Sequence, residues 1–383
     1  MQKSIYLDYS ATTPVDEKVF TAMQPYFLER FGNSASQLHP YGWEAESAVE
    51  KARKQIASAL EILPKEIYFT SGATESNNWA IQGLIEAWQE EAPQASIHII
   101  SSNAEHNSIL RVLEYAQKNR HVEVDFLPVG TDGRVSTEQV LQAIKPHTKL
   151  ISLMWANNEL GSLNPIQEIS KITREKKIYF HTDATQAIGK IPLSLKETPV
   201  DLLSFSAHKL YGPKGVGALY LRSQNPTVQI RPLLYGGGQE RGLRSGTLNV
   251  PGIVGFGQAM DLVKNQIVEE FKKALQLRQT LLKIWTEAEI RFRVNGAINH
   301  SVPQILNITF LEPEGSFQLP GISFSKGSAC HSEKQELSHV LRAIGLHSLE
   351  AEKTLRFSFG RMTTTEELKT LSEMLFSRFK KIK

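Results

Sequence analysis

Residues 201–215, DLLSFSAHKLYGPKG, decide how the rest of the chain is read. The strand-like run from Asp201 stops at His208 and Lys209, and Pro213 with Gly212 and Gly215 keeps the chain beyond from becoming helix. Lys209 is therefore presented at a strand end, beside the hydroxyl of Ser206 and the imidazole of His208. An enzyme needs such an arrangement to hold an aldehyde as a Schiff base next to a phosphate. The same window also reads as a solvated lysine in a glycine-rich turn, so the surrounding chain has to decide.

Outward from this window, short apolar strands alternate with helices. From Ile67 come IYFT and a helix over about 75–88, then IHIIS and a helix over about 107–119, then VEVDFLPV, LISLMWA, IYFHTDA, DLLSFSA and VGALYLR. This rhythm predicts an α/β fold built on a mostly parallel, seven-stranded, doubly wound sheet. Upstream, IYLDYSATTP predicts a strand and a turn at Thr13-Pro14, followed by a helix over about 15–28 and the polar loop FGNSAS. Ala45, Ala48, Val49, Ala52 and Ile56 at helical spacing predict a second helix over about 43–60.

Composition narrows the classes. A chain of 383 residues exceeds what one hydrophobic core usually supports, so two domains are expected. The 41% hydrophobic and 22% charged residues are ordinary for a globular protein. No apolar run approaches the roughly 18 residues that span a bilayer, and MQKSIYLDYS resembles neither a signal peptide nor an arginine-rich presequence. A cytoplasmic protein with no membrane partner is expected. A net charge of +3 is too small to argue for nucleic acid, and SRFKKIK reads as the solvated last turn of a helix. The single cysteine, Cys330, excludes an internal disulfide and a multi-cysteine metal site, and no metal is expected.

Ligands of such sheets bind beyond the carboxyl ends of the strands. Five consecutive strand ends carry polar groups suited to one ligand. After IYFT comes Ser71-Gly72-Ala73-Thr74-Glu75, where free amides at Ala73 and the Thr74 hydroxyl can receive a phosphate. Glu105-His106 follow IHIIS, Asn157-Asn158-Glu159 follow LISLMWA, Asp183 with Gln186 follow IYFHT, and Lys209 follows DLLSFS. Taken singly these are a helix cap, a core or surface histidine, a turn asparagine and another cap. Taken together they match pyridoxal 5′-phosphate. Asp183 would pair with the protonated pyridine nitrogen, Gln186 with the phenolic oxygen, and His106 would stack on the ring. Thr74, Ser206 and His208 would hold the phosphate, and Lys209 the aldehyde carbon.

With those residues in place, the chain resembles the class V aminotransferase group of fold-type I pyridoxal-phosphate enzymes, and within it the cysteine desulfurases. The resemblance rests on YLDYSATTP, FTSGATESNN, AEHNSIL, NNELG, HTDATQAIGK, SFSAHKLYGPKGVGALYLR, GGGQERGLRSGT, GSAC and RFSFGR, in that order, from Ile5 to about Lys380. It implies a large cofactor-binding domain over 16–258 and a smaller α+β domain formed by 1–15 and 259–383. Lys326-Gly327-Ser328-Ala329-Cys330-His331-Ser332 is similar to the long active-site loop of one group of these enzymes, which puts the persulfide on Cys330. The resemblance further implies Arg356 as the clamp for the substrate carboxylate, with Asn33 and Asn158 nearby. It also implies Thr247 as a phosphate ligand reaching the second subunit of a homodimer. The implied reaction turns L-cysteine into L-alanine with Lys209 as the base, and passes sulfur to an iron-sulfur scaffold or other acceptor, for cluster assembly and tRNA thiolation.

Residue chemistry agrees with these assignments. Cys330 lies among Lys326, Ser328, His331 and Glu333 in a window with no apolar periodicity, and a neighbouring cation favours its thiolate. A guanidinium such as that of Arg356 is a natural fork for a carboxylate. The chain departs from the family pattern at Ser34, Ala207 and Trp155-Ala156, none of which removes a chemical group in use. Pro313, Pro320 and Gly321 interrupt 311–325, where relatives carry a helix, and the chain stops at Lys383 without the extension that housekeeping members use in docking a scaffold. These bear on partners more than on chemistry. The alternatives are a related cystine, cysteine or selenocysteine lyase that does without Cys330, and a non-catalytic subunit that binds partners.

Overall fold

The computed structural model describes residues 4–224, 227–312, 319–326 and 337–380. Cys330 and Pro313 lie outside the described residues. In chain order, β1 (Ile5–Tyr6) leads to α1 (Glu17–Met23), α2 (Pro25–Leu28) and α3 (Pro40–Leu60). Four strand-helix units follow: β2 (Ile67–Thr70) with α4 (Ala73–Glu91), β3 (Ile97–Ser102) with α5 (Asn107–Asn119), β4 (Val122–Leu127) with α6 (Thr137–Ala143), and β5 (Thr148–Ser152) with α7 (Ile166–Lys176). Next come β6 (Tyr179–Asp183), β7 (Leu202–Ser206) and β8 (Gly217–Leu221). The long α8 (Val250–Glu287) then leads to β9 (Phe292–Asn295), β10 (Ile305–Phe310), β11 (Ile322–Ser323), β12 (Ser325–Lys326), α9 (His339–Ala343), α10 (Ser348–Glu352), β13 (Thr354–Ser358) and α11 (Thr365–Lys380).

Strands β2 to β8 form one seven-stranded sheet in the order β2-β8-β7-β6-β5-β3-β4. β8 is antiparallel to both of its neighbours and the other strands are mutually parallel, so the expected mostly parallel sheet is present. Every residue of β3, β7 and β8 is buried, as in sheets covered on both faces. Val49 and Ile56 of α3 and Phe256 of α8 belong to the core on one face, and Ile81, Leu84, Ile109 and Leu113 of α4 and α5 to the core on the other. α3 and α8 touch so closely that a Cβ on Gly257 would lie 2.6 Å from the Cα of Ala52.

Three expectations need correction. The helix over 15–28 is two helices, broken at Pro25, which has no N–H to donate and whose ring clashes with the carbonyl four residues back. Helix α3 starts before residue 43, because His39 caps it through Gly42 N and Pro40 occupies its first turn. The five polar strand ends are not consecutive, because β4 intervenes in the chain. It sits at the far edge of the sheet, and its end carries none of them.

A second core lies beyond the sheet. β12-β13-β10-β9 form an antiparallel sheet, and β1 pairs in parallel with β11. Trp285, Leu281, Phe310, Phe357, Leu371 and Leu7 pack into one cluster there. Helix α8 serves both cores, giving Ile253, Phe256 and Met260 to the first and Leu277, Leu281 and Trp285 to the second. No helix among the described residues is long and apolar enough to cross a membrane.

Trp285 is fully buried, its ring centroid lies 5.5–5.9 Å from those of Phe310, Phe292 and Phe357, and its Nε1 donates to Ser372 Oγ at 3.0 Å. Trp285→Ala is expected to lower the unfolding free energy of this part by about 3–5 kcal/mol. Chemical denaturation followed by aromatic circular dichroism checks it, and a loss below about 1 kcal/mol would contradict this packing.

Candidate active site

A cavity of about 460 Å³ opens at the carboxyl ends of β2, β7, β6, β5 and β3, and residues of the N-terminal arm close one side of it. Ala73, Thr74, His106, Asn158, Asp183, Gln186, Ser206, His208, Lys209 and Arg356 all line it. Ten of the side chains picked out from sequence, spread over 284 positions of the chain, thus converge on one space. Asn33 and Thr247 do not line the cavity; both are exposed, and Asn33 Oδ1 accepts from Ala35 N at 3.0 Å. Cys330 belongs to the residues not described.

One wall is the start of α4. The N-cap is Gly72, which has no side chain to accept from the first amides, so the start of this 19-residue helix lines the cavity with the positive end of its dipole behind it. The turn before it presses on β8: a Cβ on Gly217 would lie 2.6 Å from the Cα of Gly72. Glu75, in the first turn, also lines the cavity and is paired with Arg244, which donates to it from Nε at 2.8 Å and Nη2 at 3.0 Å. His208 Nδ1 lies 3.1 Å from Thr12 Oγ1. Burial, then the Lys209, Lys214 and Lys190 cations, brings His208 down to about 4, so the ring is neutral.

The opposite wall holds a buried carboxylate. Asp183 Oδ1 accepts from Thr185 N at 2.9 Å and Oδ2 from Asn77 Nδ2 at 2.8 Å. Asn77 also donates to Ser108 Oγ at 2.8 Å, and Ser108 N–H donates to His106 Nδ1 at 3.1 Å. Burial lowers the pKa of His106 below the ordinary histidine value. Gln186 donates from Nε2 to Ser10 O at 3.0 Å.

Lys209 Nζ donates to Ser10 O at 2.7 Å and to Ala11 O at 2.6 Å. Neither partner is a carboxylate. Burial, assisted by the Arg356 cation and opposed by Asp8 and Asp183, lowers its pKa to about 8. Arg356 Nη1 donates to Asn158 O at 2.8 Å, and Nη2 to Asp8 Oδ1 at 2.9 Å and Ser325 Oγ at 2.8 Å. Nε, buried, has no partner among the described residues.

Sequence reasoning missed Asp8, Ser10, Asn77, Ser108, Lys190 and Ser325. Asp8, Ser10, Asn77, Ser108 and Lys190 stand inside YLDYSATTP, FTSGATESNN, AEHNSIL and HTDATQAIGK, which was their one signal. Ser325 had none.

These residues fit pyridoxal 5′-phosphate. An uncapped helix start suits a phosphate, and a buried carboxylate suits a pyridinium. Two buried acceptors on the lining, Asn158 Oδ1 and Thr185 Oγ1, have no hydrogen-bond partner among the described residues and await polar company. Among the described residues no group of three or more His, Cys, Asp and Glu side chains is placed to hold a metal ion.

Known proteins resemble the chain over nearly its whole length. The model of the family "Aminotransferase class-V" matches residues 5–371. "Cysteine desulfurase IscS" of Anaeromyxobacter sp. (strain Fw109-5) is 44% identical over 386 residues, covering 100% of this chain and 94% of that one. "Cysteine desulfurase, mitochondrial" of Arabidopsis thaliana is 44% identical over 100% of this chain and 83% of its own. Among solved structures, a "NifS-like protein" superposes with a TM-score of 0.88 at 35% identity, covering 98% of this chain and 99% of that one. "SspA in complex with cysteine" superposes with a TM-score of 0.81 at 36% identity, covering 93% and 99%.

In competitive acetylation of the cofactor-free protein across pH, Lys209 is expected to acquire reactivity with a midpoint near 8, the value to which burial brings it. Its free-base form dominates above that pH. Peptide mass spectrometry reads each lysine separately, and a midpoint for Lys209 at the ordinary lysine value would show that it is not desolvated.

Proposed function

The chain belongs to the class-V aminotransferases and, within them, to the cysteine desulfurases, and we propose that it uses pyridoxal 5′-phosphate to take sulfur from L-cysteine, leaving L-alanine and a persulfide on Cys330. The observation that carries this reading is the lysine amine near pH 8 that shares one cavity with a buried carboxylate, an uncapped helix start and a guanidinium.

On this reading the amides of Ala73 and Thr74, with Ser206 and His208, hold the phosphate, and Lys209 holds the aldehyde carbon. Asp183, fixed by Thr185 N and Asn77, keeps the pyridine nitrogen protonated. When bound, the cofactor supplies a sink for the electrons of the substrate's α-carbon. Arg356 and Asn158 receive the substrate carboxylate, and Nζ of Lys209, a free base around pH 8, takes the α-proton. His106 lines the ring side of the cavity. The Sγ thiolate of Cys330 attacks the substrate sulfur; the S–S bond forms as the C–S bond breaks, the electron pair stays on carbon, and protonation there completes alanine. Sulfur then leaves Cys330 for an acceptor protein such as an iron-sulfur scaffold. The free thiol at the centre of this scheme suits a reducing compartment, which supports a cytoplasmic location.

We further place the large domain at 16–258 and the small one at 1–15 with 259–383, the two being joined by α8. Thr247 serves the phosphate of a second copy, and Asn33 joins Arg356 and Asn158 in receiving the substrate carboxylate. Phe27, Leu28, Phe31, Leu38, Tyr41 and Trp43 are at least half exposed, and Tyr235 is 74% exposed, which supports a homodimer surface.

The product decides between desulfurase and lyase. Cys330→Ser is expected to bind L-cysteine with a spectral change yet form almost no alanine, and brief exposure of the wild type should add one sulfur to the peptide holding Cys330. Full activity of the serine variant, or pyruvate and ammonia as main products, would favour the lyase. Thr247→Ala is expected to weaken cofactor retention about tenfold, the worth of one hydrogen bond to an anion. Mixed dimers, in which one Thr247→Ala chain impairs the site of its partner, check that the contact crosses subunits, and a monomer that keeps its cofactor on dilution would refute it.

A further inference from the structure

Lys190 is 5% exposed and pairs with no carboxylate among the described residues. Among the described residues its Nζ makes one hydrogen bond, to Gln186 Oε1 at 2.6 Å. Burial, then the Lys209 and Arg356 cations, pushes its ammonium well below the ordinary lysine range. A buried amine without a countercharge costs stability, and an apolar side chain would pack there at less expense. Among the described residues, what the amine adds over such a side chain is its hydrogen bond to Gln186.

That contact closes a chain of donors whose direction is forced. Ser10 O accepts from Lys209 Nζ at 2.7 Å and from Gln186 Nε2 at 3.0 Å. A carbonyl cannot donate, so the amide nitrogen of Gln186 faces Ser10 and its oxygen faces Lys190. Nε2 has a second hydrogen, and Gln186 lines the cavity, so that hydrogen is left for a ligand there. The backbone holds the pair in register: Gln186 and Lys190 are four residues apart in the turns after β6, Lys190 N donates to Ala187 O at 3.0 Å, and Lys190 O accepts from Gln304 Nε2 at 3.1 Å. Without the Lys190 amine, Gln186 Oε1 is a buried acceptor with no partner, and the side chain gains by turning away.

We propose that Lys190 is a positioning residue which pins the amide of Gln186, and thereby sets the hydrogen bond that the cofactor's phenolic oxygen receives. This rests on the reading that the cavity takes pyridoxal 5′-phosphate. Lys190 touches neither substrate nor cofactor and acts through Gln186. A donor on the phenolic oxygen stabilises its anionic form and lowers the proton affinity of the chromophore, and losing that donor raises it.

The test titrates the visible absorbance of the full-length, cofactor-loaded protein against pH without substrate. Lys190→Met is expected to raise the proton affinity of the chromophore by about tenfold, the worth of one hydrogen bond to a charged group. Gln186→Leu is expected to do the same, and the double variant no more than either. Lys190→Gln, which keeps a donor, should return towards the wild-type midpoint. An unchanged midpoint in Lys190→Met, or a shift that persists in full on the Gln186→Leu background, would overturn the proposal. Borohydride reduction of the wild type keeps the two readings apart. Failure to fix the cofactor on Lys209 would remove the cofactor assignment itself, whereas success leaves the midpoints to judge Lys190 alone.

Discussion

Lys209 is held by two backbone carbonyls, those of Ser10 and Ala11, and by no carboxylate among the described residues, and the rest of the site follows from this. A carboxylate partner would stabilise the ammonium and keep the amine protonated and unreactive. Neutral acceptors satisfy its hydrogens while burial and the Arg356 cation bring the pKa to about 8. The carbonyls belong to an arm that must itself be immobile. Ser10 N donates to Ser358 Oγ at 2.8 Å, and Thr13 N donates to His208 O at 3.0 Å. The arm thus runs from the second core, where Leu7 is buried, to the turn that carries the lysine.

The same arm reaches the arginine. Asp8, Ser325 and Arg356 form a triangle with 2.8–2.9 Å sides. Asp8 comes from the arm, Ser325 from β12 and Arg356 from β13, so each fixes the other two. Arg356 is thereby anchored by Nη2 and, through Asn158 O, by Nη1, while Nε and the remaining Nη1 hydrogen have no partner among the described residues. A long flexible side chain would lose rotamer freedom on gripping a carboxylate, and here that loss has already occurred on folding.

Buried polar pairs elsewhere serve position in a similar way. Arg53 and Glu240, 3% and 1% exposed, meet through two hydrogen bonds at 2.7 and 3.0 Å. Glu240 also accepts from Phe69 N at 2.8 Å, and Arg53 donates to Ile67 O at 2.6 Å. The glycine-rich loop before Thr247 is therefore tied to β2 at a point where Glu240 and Arg241 adopt positive φ, of 49° and 60°. Strain of this kind persists only where the surroundings impose it. Removing one partner would leave the other charged and buried, which costs far more than the intact pair contributes.

The repeating strands and the polar residues after five of them were legible in the sequence because each is a local pattern, set within a few residues by periodicity, glycine and proline. Asp183, His106 and Lys209 could be named for that reason, and the break at Pro25 was equally local, though it was not read. Asn33, Thr247 and Cys330 came from family resemblance, since no nearby pattern marks them. Asp8 beside Arg356, Ser10 over Gln186 and Asn77 under Asp183 are separated by 348, 176 and 106 positions, and nothing near either partner announces the other. Folding alone brought them together. The sequence by itself determined which chemical groups the chain carries to the edge of its sheet. The tertiary structure decided their protonation and aim, because desolvation and hydrogen-bond direction depend on neighbours that only packing supplies.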